Sequence, residues 1–552
     1  MSTRHPKHVG IRLTALVLAL LLCLSGCFAG NGTDVRSAQA PEADASDSLR
    51  YLRIVNDEPD TADPQCTDGC YDIPLNVFDR LVEVQQKEDG SSSFVPSLAQ
   101  SWEISDDGLV YTFHLQEGVR FSNGSPLTAS DVEYTLKRLL THPDSMAGDV
   151  GAFILDADAL TAGETDTLEG FRAISDLVFS ITLSTPYAAF LAILSTPAAS
   201  ILDEETTAAA GARFGTEPAV TVGTGPFVFQ EWKKSDSILL SANRSCWSGA
   251  PGSDGILMQF VMDPEAKRLL FENGALDVLD LETLGSDAEY FLRGDIYQSQ
   301  LVHGRRVGLS YIALNESIEP LNDVRVRHAL QLALDRNAIL MNIYSGRGEL
   351  ENGIYPHGLI GFNPELPEIP YDPEQAAALL KEAGYPDGFD LELVVDDEGT
   401  YYSRQILELA AFMWGKIGVR ASIRTVGTEE YLSLRKSGAL ACNVSRFSVD
   451  YNDPDAIIYV FFGSRENALH RGLGYENEDI IGRVNEACSI LNEEERLSEY
   501  RALERIIVQE ECAWIPLFSN EHYFIFSERV KNFRVSWNGW TDTPYRDMVI
   551  ED

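Results

Sequence analysis

Pro96-Ser-Leu-Ala-Gln-Ser-Trp-Glu-Ile-Ser-Asp-Asp-Gly-Leu-Val-Tyr-Thr-Phe-His-Leu-Gln-Glu-Gly-Val-Arg-Phe-Ser-Asn-Gly-Ser-Pro-Leu-Thr-Ala-Ser-Asp-Val132 is the stretch that decides the fold. Leu109, Tyr111, Phe113 and Leu115 recur in it at period two, which places one apolar face on an extended strand. Asp106-Asp107-Gly108, just upstream, has the turn chemistry that reverses a chain into a hairpin. Working outward, Leu49-Arg-Tyr-Leu-Arg-Ile-Val55 reads as a first strand, and Leu75-Asn-Val-Phe-Asp-Arg-Leu-Val82 as a helix start beyond a Cys/Gly/Pro-rich loop. The first part of the chain is therefore expected to be rich in β-structure.

Later segments change character. Asp372-Pro-Glu-Gln-Ala-Ala-Ala-Leu-Leu-Lys-Glu-Ala-Gly384 has Asp as N-cap, Pro at the first helical position, Gln in the capping-box slot and Gly beyond the end. Phe389-Asp-Leu-Glu-Leu-Val-Val395 then alternates like a strand, and a helical run follows from Ser403 to Ile417. Helix, strand and helix in succession predict an α/β lobe.

The N-terminus carries Arg4, Lys7 and Arg12 ahead of an apolar run from Leu13 to Leu22, the pattern of a secretory signal over residues 1–26. The run ends at Leu24-Ser25-Gly26-Cys27, which is similar to the lipobox of bacterial lipoproteins and makes Cys27 the expected lipidation site. Residues 27–47 are poor in large apolar side chains and read as a flexible tether. Beyond the signal, 40 bases face 85 acids, a balance that argues against nucleic acid and anionic membrane surfaces as partners. Six further cysteines, Cys66, Cys70, Cys246, Cys442, Cys488 and Cys512, allow disulfides in a non-cytosolic setting, with Cys66 and Cys70 the pair that could close a small loop. No second thiol pair or clustered His completes a metal site around them, so no metal is expected. Nor is there a His-Glu-x-x-His, Gly-x-Ser-x-Gly or Walker loop, and Gly223-Thr-Gly225 runs into Pro, so no dinucleotide fingerprint is present. An enzyme such as a secreted hydrolase is not expected, and neither is a cofactor.

Three separated stretches carry a family resemblance. The segment from Pro96 to Val132 resembles a hallmark of the extracellular solute-binding proteins that include the oligopeptide- and dipeptide-binding subunits of bacterial ABC importers. Gly223-Thr-Gly-Pro-Phe-Val-Phe-Gln-Glu-Trp232, followed by Asn243-Arg-Ser-Cys-Trp247, is similar to a second, and Asn322-Asp-Val-Arg-Val-Arg-His-Ala-Leu-Gln-Leu-Ala-Leu-Asp-Arg336 to a third. Individually these are scaffold: a hairpin, a Gly-Pro turn, and a helix with Val324, Ala329, Leu330 and Ala333 on its apolar side.

The resemblance implies a bilobal α/β periplasmic-binding-protein-like fold with an extra domain. Domain I would take residues 48–75, 206–308 and 519–552, domain II residues 76–205 and domain III residues 309–518, with two chain crossings as the hinge. It also implies a monomer outside the cell membrane, held there by its lipid anchor. Its partners would be a permease and separate ATPase subunits.

Arg446-Phe-Ser-Val-Asp-Tyr-Asn-Asp-Pro454 resembles the segment of oligopeptide binders in which an aspartate just before Tyr receives the peptide's α-amino group. Asp450 and Tyr451 hold those two positions. A carboxylate facing an ammonium in a partly dry cleft makes a charge-assisted bond, while main-chain pairing of an extended peptide leaves its sequence loosely specified. The resemblance puts Arg446 and Ser448 on one wall and Asp68, Gly69, Cys70 and Tyr71 on the other, with Tyr311 and Asn315 as further candidates. Two positions depart from it: Phe447 stands where enteric binders have Trp, and Arg446 replaces a small Gly. Nickel complexes, haem, opines and oligosaccharides are the alternative solutes for the same fold.

Overall fold

The computed structural model describes residues 49–67, 70–86, 92–145, 151–397, 402–519, 521–535 and 545–551. The body from Arg50 onward forms one compact unit. Among the described residues no helix is long and apolar enough to cross a membrane. The signal segment, Cys27 and the tether lie outside the described residues.

Two large sheets organise the body. The first has seven strands, in the order Leu301–Arg305, Glu521–Phe526, Val278–Asp280, Tyr51–Asn56, Gly255–Phe260, Ser237–Ala242 and Phe227–Lys233. The second has six: Glu349–Leu350, Trp514–Ser519, Gly308–Leu314, Cys442–Ser448, Asp390–Asp396 and Arg420–Val426. Asp390–Asp396 and Arg420–Val426 run parallel in register, joined by the helix Ser403–Gly415. That unit is what the helix-strand alternation predicts. The helix before it spans Pro373–Glu382, and Asp372 caps it by accepting from Gln375 N at 2.9 Å.

The hairpin sits in a four-stranded sheet, ordered Ala99–Ile104, Val110–Leu115, Val178–Thr182 and Phe171–Ser175. Asp107 makes its turn by accepting from Ser105 Oγ at 2.6 Å and Leu109 N at 3.1 Å, and Gly108 takes the left-handed φ of 69°. Tyr111, Phe113 and Leu115 are buried, whereas Leu109 precedes the strand and is only half-buried. The helix expected to start at Leu75 instead covers Asp72–Val77, and a strand, Val82–Gln86, begins where it was expected to run on.

The second motif works by close approach. A Cβ on Gly223 would stand 2.1 Å from Val77 O, so only glycine lets these backbones meet. Thr224 Oγ1 and Trp247 Nε1 then both donate to Asp79 Oδ2 at 2.8 Å, which ties the motif's two halves to one buried carboxylate. In the third motif Asp323 caps Val324–Leu332 through Arg325 N at 2.9 Å, and the buried Arg327 donates to the carbonyls of Leu321, Glu511 and Cys512. Packing and capping, not ligand chemistry, account for these residues.

The apolar core of the four-stranded sheet is continuous with Leu309, Tyr311 and Ala313, which line one face of the strand Gly308–Leu314, and with helices from Asp455 onward. A buried polar cluster sits inside it. Tyr187, beyond the strand Val178–Thr182, donates to Asp455 Oδ2, while Tyr500 Oη and Cys488 Sγ donate to Asp455 Oδ1 at 2.9 and 3.1 Å. Next to it Asp453 takes a two-pronged salt bridge from Arg496, at 2.7 and 2.6 Å. Such a cluster is stabilising only while every member stays satisfied.

Candidate functional site

The strand Cys442–Ser448 pairs antiparallel with Gly308–Leu314, setting Ser448 opposite Gly308 and Arg446 opposite Ser310. Beyond it the chain is anchored: Val449 N donates to Val307 O at 3.0 Å, Asn452 Oδ1 accepts from Ile360 N at 2.7 Å, and Asp453 is bound by Arg496. From Val449 to Ile458 every residue is buried except Asp450, which is exposed. A carboxylate held at the surface by buried neighbours on both sides is a preorganised acceptor. Tyr451 is buried directly after it, its hydroxyl 3.4 Å from that of Tyr187.

The chain passes between the two large sheets twice, from Arg305 to Gly308 and from Ser519 to Glu521. Charged side chains gather at these crossings. Arg446, from the six-stranded sheet, donates to Glu282 Oε1, which follows the strand Val278–Asp280 of the seven-stranded sheet. Its other terminal nitrogen donates to His522 Nε2 at 2.6 Å. An accepting Nε2 must be unprotonated, so the ring proton belongs on Nδ1, which faces Glu282 Oε2 at 3.1 Å. Arg306, buried on the first crossing, stands 3.7 Å from Asp280 Oδ2. Burial alone would raise the Glu282 carboxyl, but Arg446 and His522 hold it well below the ordinary carboxylate range. Burial raises Asp280 and lowers His522.

Arg446 and Ser448 thus come together with Arg306, Ser310 and His522 around one small polar cavity. The donor atoms of Asp280, Glu282 and His522 fall within 4.8 Å of one another, close enough for a metal ion. The set nevertheless does not suit a cation. Two guanidinium groups already neutralise the carboxylates, and a metal on His522 Nδ1 would drive the ring proton to Nε2, against Arg446.

The other candidates are placed as follows. Phe447 is half-buried, its ring edge-on to Phe461 at 5.0 Å, with the Arg471 guanidinium 5.2 Å from its centre. Tyr311 is buried against Phe461 and Trp514. Asn315 is fully buried: its amide donates to Gly438 O and Leu440 O at 3.0 and 2.9 Å, and its oxygen accepts from Ser317 N and Oγ. Both therefore face the interior of the sheet rather than the crossings. Cys70 and Tyr71 are half-buried beside the end of the strand Tyr51–Asn56, and Asp68 and Gly69 lie outside the described residues. The expected Cys66–Cys70 link is not formed, because the thiols face different partners. Cys66 Sγ lies 3.6 Å from His142 Nδ1, and Cys70 Sγ accepts from Asn56 Nδ2 at 3.4 Å. Glu282, Arg306 and His522 were not singled out from the sequence; single charged residues in a chain with 85 acids carry no local signal of a shared cluster.

Residues 93–468 match the family model of bacterial extracellular solute-binding proteins, family 5. The heme-binding protein A of Haemophilus influenzae is 30% identical over 547 residues, covering 95% of this chain and 96% of that one. The dipeptide-binding protein of Escherichia coli is 30% identical over 427 residues, 74% of this chain and 77% of its own. Among solved structures, HbpA2 of Haemophilus parasuis superposes with a TM-score of 0.73 at 26% identity, covering 91% of this chain and 99% of that one. The periplasmic binding protein DppA of Helicobacter pylori, in complex with the peptide STSA, gives 0.74 at 22% identity over 92% of this chain and all of that one. A sequence match over most of the chain, joined to the two-sheet architecture with its paired crossings, establishes that the chain belongs to the bacterial extracellular solute-binding proteins, family 5.

Proposed function

We propose that this chain is the substrate-binding subunit of an ABC importer and that its solute is a short peptide, captured between the seven- and six-stranded sheets. The observation that carries the peptide assignment is Asp450, a surface carboxylate on an otherwise buried segment beside the strand Cys442–Ser448. Its position suits capture of an α-amino group by a charge-assisted bond. Relatives named for dipeptides and di- or tripeptides support the same solute class. Haem is the second reading, favoured by the name of the 30%-identical Haemophilus influenzae relative.

On this proposal the three sheets mark three domains: residues 48–75, 206–308 and 519–552; residues 76–205; and residues 309–518. The crossings at 305–308 and 519–521 act as the hinge, and ligand shifts the population toward a closed form that a permease with separate ATPase subunits recognises. A lipid on Cys27 and the tether 27–47 keep the monomer at the outer face of the membrane.

The test is thermal stability of the body lacking residues 1–27 against free peptides, N-acetylated peptides, haemin, nickel and oligosaccharides. A ligand at a hundred times its dissociation constant adds about 2.7 kcal/mol. Stabilisation by free peptides, lost on acetylation and in Asp450→Ala, is the expected result. Stabilisation by haemin or sugars alone overturns the peptide assignment and leaves the importer role standing.

A further inference from the structure

Two sets of contacts hold the four-stranded sheet and its helices in place. One fastens them to the seven-stranded sheet's part of the body. Besides the Gly223 approach and the bonds to Asp79, Ser122 N donates to Gly223 O at 2.9 Å, Gln65 Nε2 donates to Thr135 O at 2.9 Å, and Arg138 pairs with Asp63. The other set reaches the six-stranded sheet's part. Tyr187 Oη donates to Asp455 Oδ2, and Ala188 N donates to Cys488 O at 3.1 Å. Phe153 stacks on the Tyr187 ring at 3.7 Å and stands 5.9 Å from Tyr459. Gly108, in the hairpin turn, lies so close to Leu491 that a Cβ on it would stand 2.7 Å from Leu491 Cδ2.

Connectivity makes these two sets unequal. The chain enters the four-stranded sheet's domain after the strand Tyr51–Asn56 and leaves it for the strand Phe227–Lys233, both members of the seven-stranded sheet. The four-stranded sheet is therefore carried by the seven-stranded one, through the chain itself as well as through the first set. No chain connection runs from it to the six-stranded sheet, so a swing about the crossings at 305–308 and 519–521 keeps the first set and breaks the second. Breaking it has a definite cost. Tyr187, Asp455, Cys488 and Tyr500 are all buried, and the donors to Asp455 are two phenols and a thiol. When Tyr187 departs, a buried carboxylate oxygen loses its donor and water has to reach it.

We infer that the segment Tyr187–Ala188 is a latch, which fastens the four-stranded sheet's domain to Asp455 and Cys488 and sets how readily the cleft between the two large sheets opens. Tyr187 supplies the bond that opening has to break, Ala188 the main-chain link beside it, and Leu491 on Gly108 the apolar contact. On the three-domain reading proposed above, on which the latch rests, solute is held by the closed form. The latch then raises the apparent affinity for any solute without touching it, because it raises the fraction of the chain that is closed.

Amide exchange at Ala188, whose acceptor lies across the contact, tests this by residue-resolved mass spectrometry of the parent and three variants. Tyr187→Phe removes the hydroxyl and keeps the ring stack. Leu491→Ala removes the contact with Gly108 and leaves Asp455 untouched. Tyr500→Phe takes a bond from the same carboxylate, but within the six-stranded sheet's domain. The expected result is exchange at Ala188 and at the crossings faster by roughly tenfold in Tyr187→Phe and by about threefold in Leu491→Ala, with Ala188 in Tyr500→Phe within about twofold of the parent. Unchanged exchange at Ala188 in both of the first two variants overturns the latch and leaves the hinged domains standing. Equal acceleration in Tyr500→Phe overturns it as well, because the whole cluster would then have loosened. Acceleration at Ala188 with the crossings unchanged refutes instead the hinged reading, and the latch falls with it.

Discussion

One contact that joins the two large sheets is the Arg446 bridge to Glu282 and His522, and replacing Glu282 by Gln removes its charge while keeping its shape. Hydrogen bonds to charged groups contribute about 1.5–3 kcal/mol each, and partial exposure of both partners places this bridge near the lower end, at about 2 kcal/mol. Because the bridge exists only while the sheets face one another, its loss acts on the opening equilibrium rather than on either sheet alone. A change of about 2 kcal/mol is roughly a 30-fold change in that equilibrium. Amide exchange reads it directly, since protection at the crossings reports local opening. Peptides covering 304–310 and 521–526 should exchange about 30-fold faster in Glu282→Gln, with Asp390–Asp396, deep in the six-stranded sheet, unchanged. Arg446→Met should give the same acceleration, and the double variant no more than either single one, because both remove one interaction. Exchange at the crossings within twofold of the parent would refute the bridge as a clasp, and equal acceleration at 390–396 would show a global loss of stability instead.

Other outcomes follow from the buried groups. His522 is held below its ordinary pKa by burial, so its contribution to stability is complete above about pH 6.5 and is lost as pH falls through the lower folded value; His522→Gln should flatten the acid limb of the melting-temperature curve. Burial lifts Glu504 to about 8, so the native state keeps a proton that the unfolded chain releases, and stability declines as pH climbs from about 4.5 to 8. Glu504→Gln should remove that decline, on the order of 4 kcal/mol, and an unchanged alkaline limb would count against a protonated Glu504. Arg496→Met leaves Asp453 buried without its partner and should lower urea stability by about 3–5 kcal/mol, against about 1–3 kcal/mol for Tyr187→Phe at the Asp455 cluster. A loss below 0.5 kcal/mol in either variant would mean that water replaces the missing group.

Local chemistry made part of this molecule legible. The Asp107 turn, the Asp372 cap and the alternation of Tyr111, Phe113 and Leu115 are each decided within a few residues, so propensity and periodicity are sufficient for them. The helix starting at Leu75 was misplaced by three residues, because Asp72, Ile73 and Pro74 open it from within a loop-like composition. Asp79 shows a different limit. Nothing near it in the chain announces Thr224 or Trp247, 145 and 168 residues away, yet their bonds to it fix the Gly-Thr-Gly-Pro motif in place.

The candidate site obeys the same division. Asp450 could be proposed because its immediate context resembles a family segment, whereas Glu282 and His522 lie 164 and 76 residues from Arg446 and share no motif with it. Residue type alone also cannot say whether a polar group meets a ligand or its own fold: Asn315 spends its amide on Gly438 and Leu440, and Tyr311 packs on Trp514. Arg446 is the instructive case. A guanidinium in place of a small residue would narrow the cleft or meet an acidic ligand if its charge were free. In the structure its charge is already neutralised by Glu282 and its second donor is taken by His522, so an acidic ligand would have to displace an intramolecular carboxylate to reach it.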